Sequence, residues 1–169
     1  MCLMKENRAF SDFKGVKMEL VNIYIINTIR CIRGGWGYVG YILEAFRCGV
    51  PVTVQGFFKI KETPNRAELM TIIEAMGRLT KQCDIHIYTN NKQIYNALAL
   101  GWIQEWEKNG WTNSKGEKVK NDDLWKLLLF LANSDVTAVY GKHEYYEWME
   151  RYIRENIDSI EVIENEQKK

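Results

Sequence analysis

Residues 65–76 read NRAELMTIIEAM. Leu69, Ile72, Ile73 and Met76 recur at i, i+3, i+4 and i+7, which puts four apolar side chains on one stripe of a helix. The pattern predicts a helix from about residue 65 to 80. Upstream lie three runs of another kind. MELVNIYIINT (18–28) is mostly β-branched and aromatic, as in a strand buried on both faces. WGYVGYIL (36–43) follows the Gly34-Gly35 turn. PVTVQGFFKI (51–60) opens on Pro51, where a missing N–H does least harm. Downstream, DIHIYT (84–89) and DVTAVY (135–140) read as strands. Helices are predicted at about 91–100, 102–108, 122–132 and 144–156, the last with Tyr145, Trp148, Met149, Tyr152 and Ile153 on one side. Three strands able to pair as a meander, followed by helix–strand alternation, predict an α/β fold. Its five-stranded mixed sheet is flanked by helices.

The 169 residues make one domain. With 46% hydrophobic and 27% charged residues, the composition excludes a disordered chain, a coiled coil and a collagen-like fibre. The 23 basic and 22 acidic residues nearly cancel, so any nucleic-acid role rests on a local patch. Cys2, Cys31, Cys48 and Cys83 are scattered, without C-x-x-C pairs, which argues against a disulfide framework or a zinc site. MCLMKENRAFSDFKG (1–15) lacks the apolar run of a signal peptide, and no stretch is apolar enough to span a membrane. A cytoplasmic location and no membrane partner are expected. Residues 1–17 read as an extension and 158–169 as a tail, around a domain at 18–157.

GWIQEWEKNGWTNSKGEKVKNDDLW (101–125) and NRAEL (65–69) resemble ribonuclease H type 1, in the bacterial form with a basic handle at about 101–121. YTNN (88–91) falls where that family has Thr-Asp-Ser, and VYGK (139–142) where it has Val-Lys-Gly-His. The resemblance implies an RNase H-like fold with the elements in the order given above. It implies an RNA–DNA hybrid as substrate and a two-ion catalytic site, since two hard cations need several anionic oxygens. Carried over residue by residue, Glu68 stands at the helix glutamate. The first-strand aspartate position is Ile26 in the unslipped frame, or Asn27 if the strand slips by one. The unslipped frame makes Ile26 the place where an introduced aspartate is expected to restore ion binding. Asn90 replaces the fourth-strand aspartate, and Lys142 the histidine. Glu150 fits the last-helix position best. Glu68 is then the one expected metal ligand, and no cofactor is required unless residual activity calls for Mg2+ or Mn2+.

The resemblance also implies nucleic-acid contacts at Asn65, Lys92, Trp102, Lys108, Lys115, Lys118, Lys120 and Asn121. Plainer roles compete. Asn65 with Glu68 three residues on reads as a helix cap with its reciprocal acid. Asn121 before Asp122-Asp123 reads as another cap. Trp102, Trp106, Trp111 and Trp125 read as core. His143 reads as a surface residue, and Glu144, Glu147 and Glu150 as a solvated helix face. Three functions stay open: a catalytically impaired domain binding a hybrid or duplex, an active hybrid nuclease with an atypical site on Glu68 and Glu150, and a protein-interaction module. The sequence indicates no particular protein partner or homodimer.

Overall fold

The helix predicted from residue 65 begins one residue earlier, at Pro64, whose fixed φ suits the first turn. The computed structural model describes residues 19–132 and 136–163. In chain order the elements are β1 (Glu19–Asn27), β2 (Gly35–Arg47), β3 (Val50–Glu62), α1 (Pro64–Gly77), β4 (Cys83–Thr89), α2 (Lys92–Ala99), α3 (Trp102–Lys108), α4 (Asp122–Leu131), β5 (Val136–Tyr140), α5 (Tyr146–Glu155) and β6 (Glu161–Ile163). The sheet order is β5-β4-β1-β2-β3-β6. β1, β2 and β3 form the antiparallel meander, while β4 and β5 add in parallel beside β1.

Central β1 sorts its side chains by alternation. Val21, Ile23 and Ile25 pack with Leu69, Ile72 and Met76 of α1. Tyr24 and Ile26 turn the other way, to Met149 and Ile153 of α5. Burial on both faces explains the nearly continuous apolar run. The handle joins the α1-side core through Ile103 and Val119, and α4 through Trp125 and Leu128. Trp rings pack tilted against one another, Trp102 on Trp106 at 6.2 Å and Trp106 on Trp125 at 5.7 Å.

The sheet has six strands among the described residues, not five. The sixth falls in the stretch read as a tail. Phe58, Lys59 and Ile60 of β3 pair in parallel with Glu161, Val162 and Ile163. Ile160 is buried beside Phe57 and Ile153. Three residues are too few to show alternation. What makes them a strand is the free edge of β3 beside them. No helix among the described residues is long and apolar enough to cross a membrane.

Candidate functional site

At the end of the sheet where β1 and β4 finish, the side chain of Glu68 enters from α1 and is buried. The Thr89 hydroxyl donates to its Oε1. The amides of Asn91 and Asn27 also bond to the carboxyl. Burial pushes this carboxyl above its ordinary range, and the three hydrogen bonds only partly offset that. The surrounding amides are themselves tied down. Asn27 Nδ2 donates to the Pro64 carbonyl at 2.8 Å, and its Oδ1 accepts from Ile29 N at 2.9 Å. Asn91 Oδ1 caps α2 through Gln93 N and Ile94 N, while its Nδ2 donates to Asn65 Oδ1 at 2.7 Å. Asn65 in turn donates to Gln93 Oε1.

This arrangement replaces the expected cap. Thr63 holds the N-cap position of α1, so Asn65 lies inside the first turn and Glu68 cannot reciprocate it. Pro64 sets that start, one residue ahead of the polar signal.

Of the catalytic positions carried over from the resemblance, Asn27 meets Glu68, while Ile26, Asn90, Glu150 and Lys142 do not. Ile26 is 1% exposed and fills the cluster beneath α5 with Tyr24, Ile42 and Phe57. Asn27, its neighbour, faces Glu68. Asn90 is exposed in the bend after β4. Glu150 is exposed on α5, the helix across the sheet from α1. Lys142 is exposed, donates to Glu147 Oε1 at 2.9 Å and lies over the Tyr146 ring. No group of three or more His, Cys, Asp or Glu side chains gathers at metal-holding distance among the described residues.

His143 is a correction: it is buried, not on the surface. Its Nε2 lies 2.9 Å from the Ile25 carbonyl oxygen, so that nitrogen carries the proton. Burial holds its pKa below the ordinary value. A second buried polar group had no place in the reading from sequence. The Glu44 carboxylate accepts from Asn22 Nδ2 at 3.0 Å, Tyr24 Oη at 3.0 Å and Tyr145 Oη at 2.6 Å. Tyr24 Oη also lies 3.0 Å from Oε1 of Glu144, which stays exposed as expected. The available signal was Glu44 itself, a single acid in the apolar run of β2.

In the handle, Arg66 of α1 grips Asp123 through both terminal nitrogens, at 3.0 and 2.9 Å, and donates to Asn121 Oδ1 at 3.3 Å. Asn121 occupies the N-cap position of α4, but its side chain makes no cap bond. Lys126 and Lys118 flank Asp122 at 2.7 and 3.3 Å and hold its carboxyl below the usual range. Lys118 is therefore partly neutralised. Lys92, Lys108, Lys115 and Lys120 are exposed, with no carboxylate partner among the described residues. Trp102 lines a cavity of about 320 Å³ with Trp106, Asn109 and Asn113.

The RNase H family model matches residues 28–143. The chain belongs to the RNase H family. A ribonuclease H of Thermoanaerobacter sp. strain X514 is 30% identical over 145 residues, covering 83% of this chain and 91% of that protein. A ribonuclease H of Prosthecochloris aestuarii is 36% identical over 99 residues, and the match spans 59% of this chain and 64% of the relative. Among solved structures, LC9-RNase H1, a type 1 RNase H with the type 2 active-site motif, superposes with a TM-score of 0.63 at 22% identity. That match covers 81% of this chain and 71% of the other. The foamy viral protease-reverse transcriptase in complex with an RNA/DNA hybrid gives 0.59 at 13% identity, over 88% of this chain and 21% of that one. These likenesses show the fold. Glu68 sits in α1 of this fold, while Ile26, Asn27 and Asn90 put no carboxylate at the ends of β1 and β4.

Proposed function

We propose that this RNase H domain binds an RNA–DNA hybrid or duplex and does not cleave it, and that it needs no metal cofactor. The observation that carries the reading is the surrounding of Glu68. Its carboxyl is enclosed by Thr89, Asn91 and Asn27, and burial favours its neutral form. An amide oxygen is a poor ligand for a hard dication, and the Ile26 side chain has no donor atom. Glu150 lies across the sheet. This donor set does not fit two divalent ions. The binding half of the reading rests on the exposed Lys108, Lys115 and Lys120 of the handle, and on exposed Lys92, whose chain neighbours Asn91 and Gln93 bond to Asn65.

Purified protein is expected to leave a uniform RNA–DNA hybrid intact in Mg2+ or Mn2+. Gel analysis of a labelled RNA strand checks this. Metal-dependent cleavage that disappears in Glu68→Gln would favour an active nuclease instead. Replacing Lys115 and Lys120 with Ala is expected to weaken hybrid binding and to lower the log–log salt slope by roughly 0.9 per lost phosphate contact. Lys118→Ala is expected to have the smaller effect, because Asp122 already holds that ammonium. Titrations at several salt concentrations decide. No binding at low salt would leave protein interaction as the role of the domain.

A further inference from the structure

On the α5 side of the sheet, β2, β3 and β6 carry a surface that the handle and the Glu68 region do not share. Trp36 pairs with Lys61, Tyr38 with Lys59, and Lys59 with Val162, so these five side chains share one face. Trp36 is 53% exposed and Val162 46%. The Lys59 ammonium lies 5.6 Å from the Trp36 ring centroid and 5.8 Å from that of Tyr38, held between the two rings. Two residues down the strand, Phe57 stacks on Tyr152 at 4.5 Å, and Tyr152 on Trp148 at 5.2 Å. α5 thus covers the lower part of this face; above it Trp36, Lys61 and Val162 are exposed, with Tyr38 and Lys59 half-buried between them. No carboxylate occupies these five positions. Glu62 points away, with its carboxylate 3.8 Å from Arg66 Nε.

We propose that this face binds single-stranded nucleic acid, with Trp36 and Tyr38 stacking unpaired bases and Lys59 and Lys61 holding phosphates. Flat rings interleaved with ammonium groups on a partly exposed sheet face match that ligand: every base has a π-face, and every nucleotide carries a negative charge. A duplex fits less well, because its bases already stack on one another. A second copy of the chain fits less well too, because a two-fold contact here would set Lys59 and Lys61 against their own counterparts. The proposal does not depend on the handle binding a hybrid.

The test is a titration of the full chain with labelled oligo(dT) and oligo(U) of about 12 nucleotides, within the span of one such platform. Trp36→Ala, an exposed substitution, is expected to weaken binding about tenfold. Lys59→Ala with Lys61→Ala is expected to lower the single-strand salt slope by roughly 1.4, at about 0.7 per contact. Lys115→Ala with Lys120→Ala is expected to leave single-strand affinity unchanged while weakening hybrid binding. Three results would overturn the proposal: no oligonucleotide binding at low salt, full affinity in Trp36→Ala, or a dimer in sedimentation that Trp36→Ala dissociates. Loss of hybrid binding alone bears on the handle and not on this face.

Discussion

Replacing Ile26 with aspartate is expected to cost about 3–5 kcal/mol of stability, the scale of an uncompensated buried charge. Aspartate at Asn27 is expected to leave the domain folded. The difference is one step of strand alternation. Ile26 is 1% exposed among Tyr24, Ile42, Phe57 and Met149, with no cation in its cluster. An aspartate there loses the packing of the isoleucine and brings a carboxyl that ionises only at high cost. Its folded pKa is raised, so the loss is smallest in acid and grows as pH rises. Asn27 already sits in polar surroundings, bonded to Pro64 O, Ile29 N and Glu68. Urea unfolding of the two single variants at neutral and acid pH checks the contrast. Calorimetric titration with manganese is expected to show ion binding in Asn27→Asp, whose carboxylate joins Glu68, and none in Ile26→Asp. An Ile26→Asp protein as stable as the parent would show that the strand faces are assigned the wrong way round.

That contrast also shows how far the sequence carries the site. The stripe of Leu69, Ile72, Ile73 and Met76 and the doubly buried run of β1 are periodic, and periodicity specifies a face without any knowledge of partners. The elements from β1 to α5 were therefore legible, apart from end residues. β6 was not, because its pairing depends on the bare edge of β3 at Phe58–Ile60, a tertiary condition. The resemblance in NRAEL and in the handle supplied Glu68 and the exposed lysines, but not the direction in which Ile26 and Asn27 point. The unslipped frame favoured Ile26 for ion binding, while the structure turns Asn27 toward Glu68. Asn65 looked like a cap because Asn-x-x-Glu is a cap signature. Pro64 at the first helical position overrode it by starting the helix from Thr63. Glu44 was invisible for a simpler reason: Asn22, Tyr24 and Tyr145, its three donors, come from two other parts of the chain.

The sheet thus holds a buried glutamate on each face, and the two are expected to respond oppositely to loss of charge. Around Glu44, burial raises the carboxyl pKa, but bonds from Tyr145, Asn22 and Tyr24 outweigh it, so the net shift is downward. A lowered folded pKa stabilises the fold above the unfolded carboxylate range, and that contribution is lost as pH falls through the folded value. At Glu68 burial wins and the net shift is upward. Its contribution is present at acid pH and is lost as pH rises through the folded value. Glu68→Gln mimics the protonated acid, so it is expected to raise the unfolding midpoint at neutral pH and to remove that falling limb. Glu44→Ala is expected to cost about 3 kcal/mol at neutral pH. It leaves buried Asn22 Nδ2 and half-buried Tyr145 Oη without an acceptor, at roughly 1–3 kcal/mol for a buried donor and less for the half-buried one, while Tyr24 keeps Glu144. Glu44→Gln should fall between the Ala variant and the parent, because one amide oxygen remains to accept while its NH2 opposes a donor. Thermal unfolding across the acid-to-neutral range separates the cases. If Glu68→Gln destabilises the domain at neutral pH as Glu44→Gln does, then Glu68 is ionised in the fold, and the donor set around it can bind a cation after all.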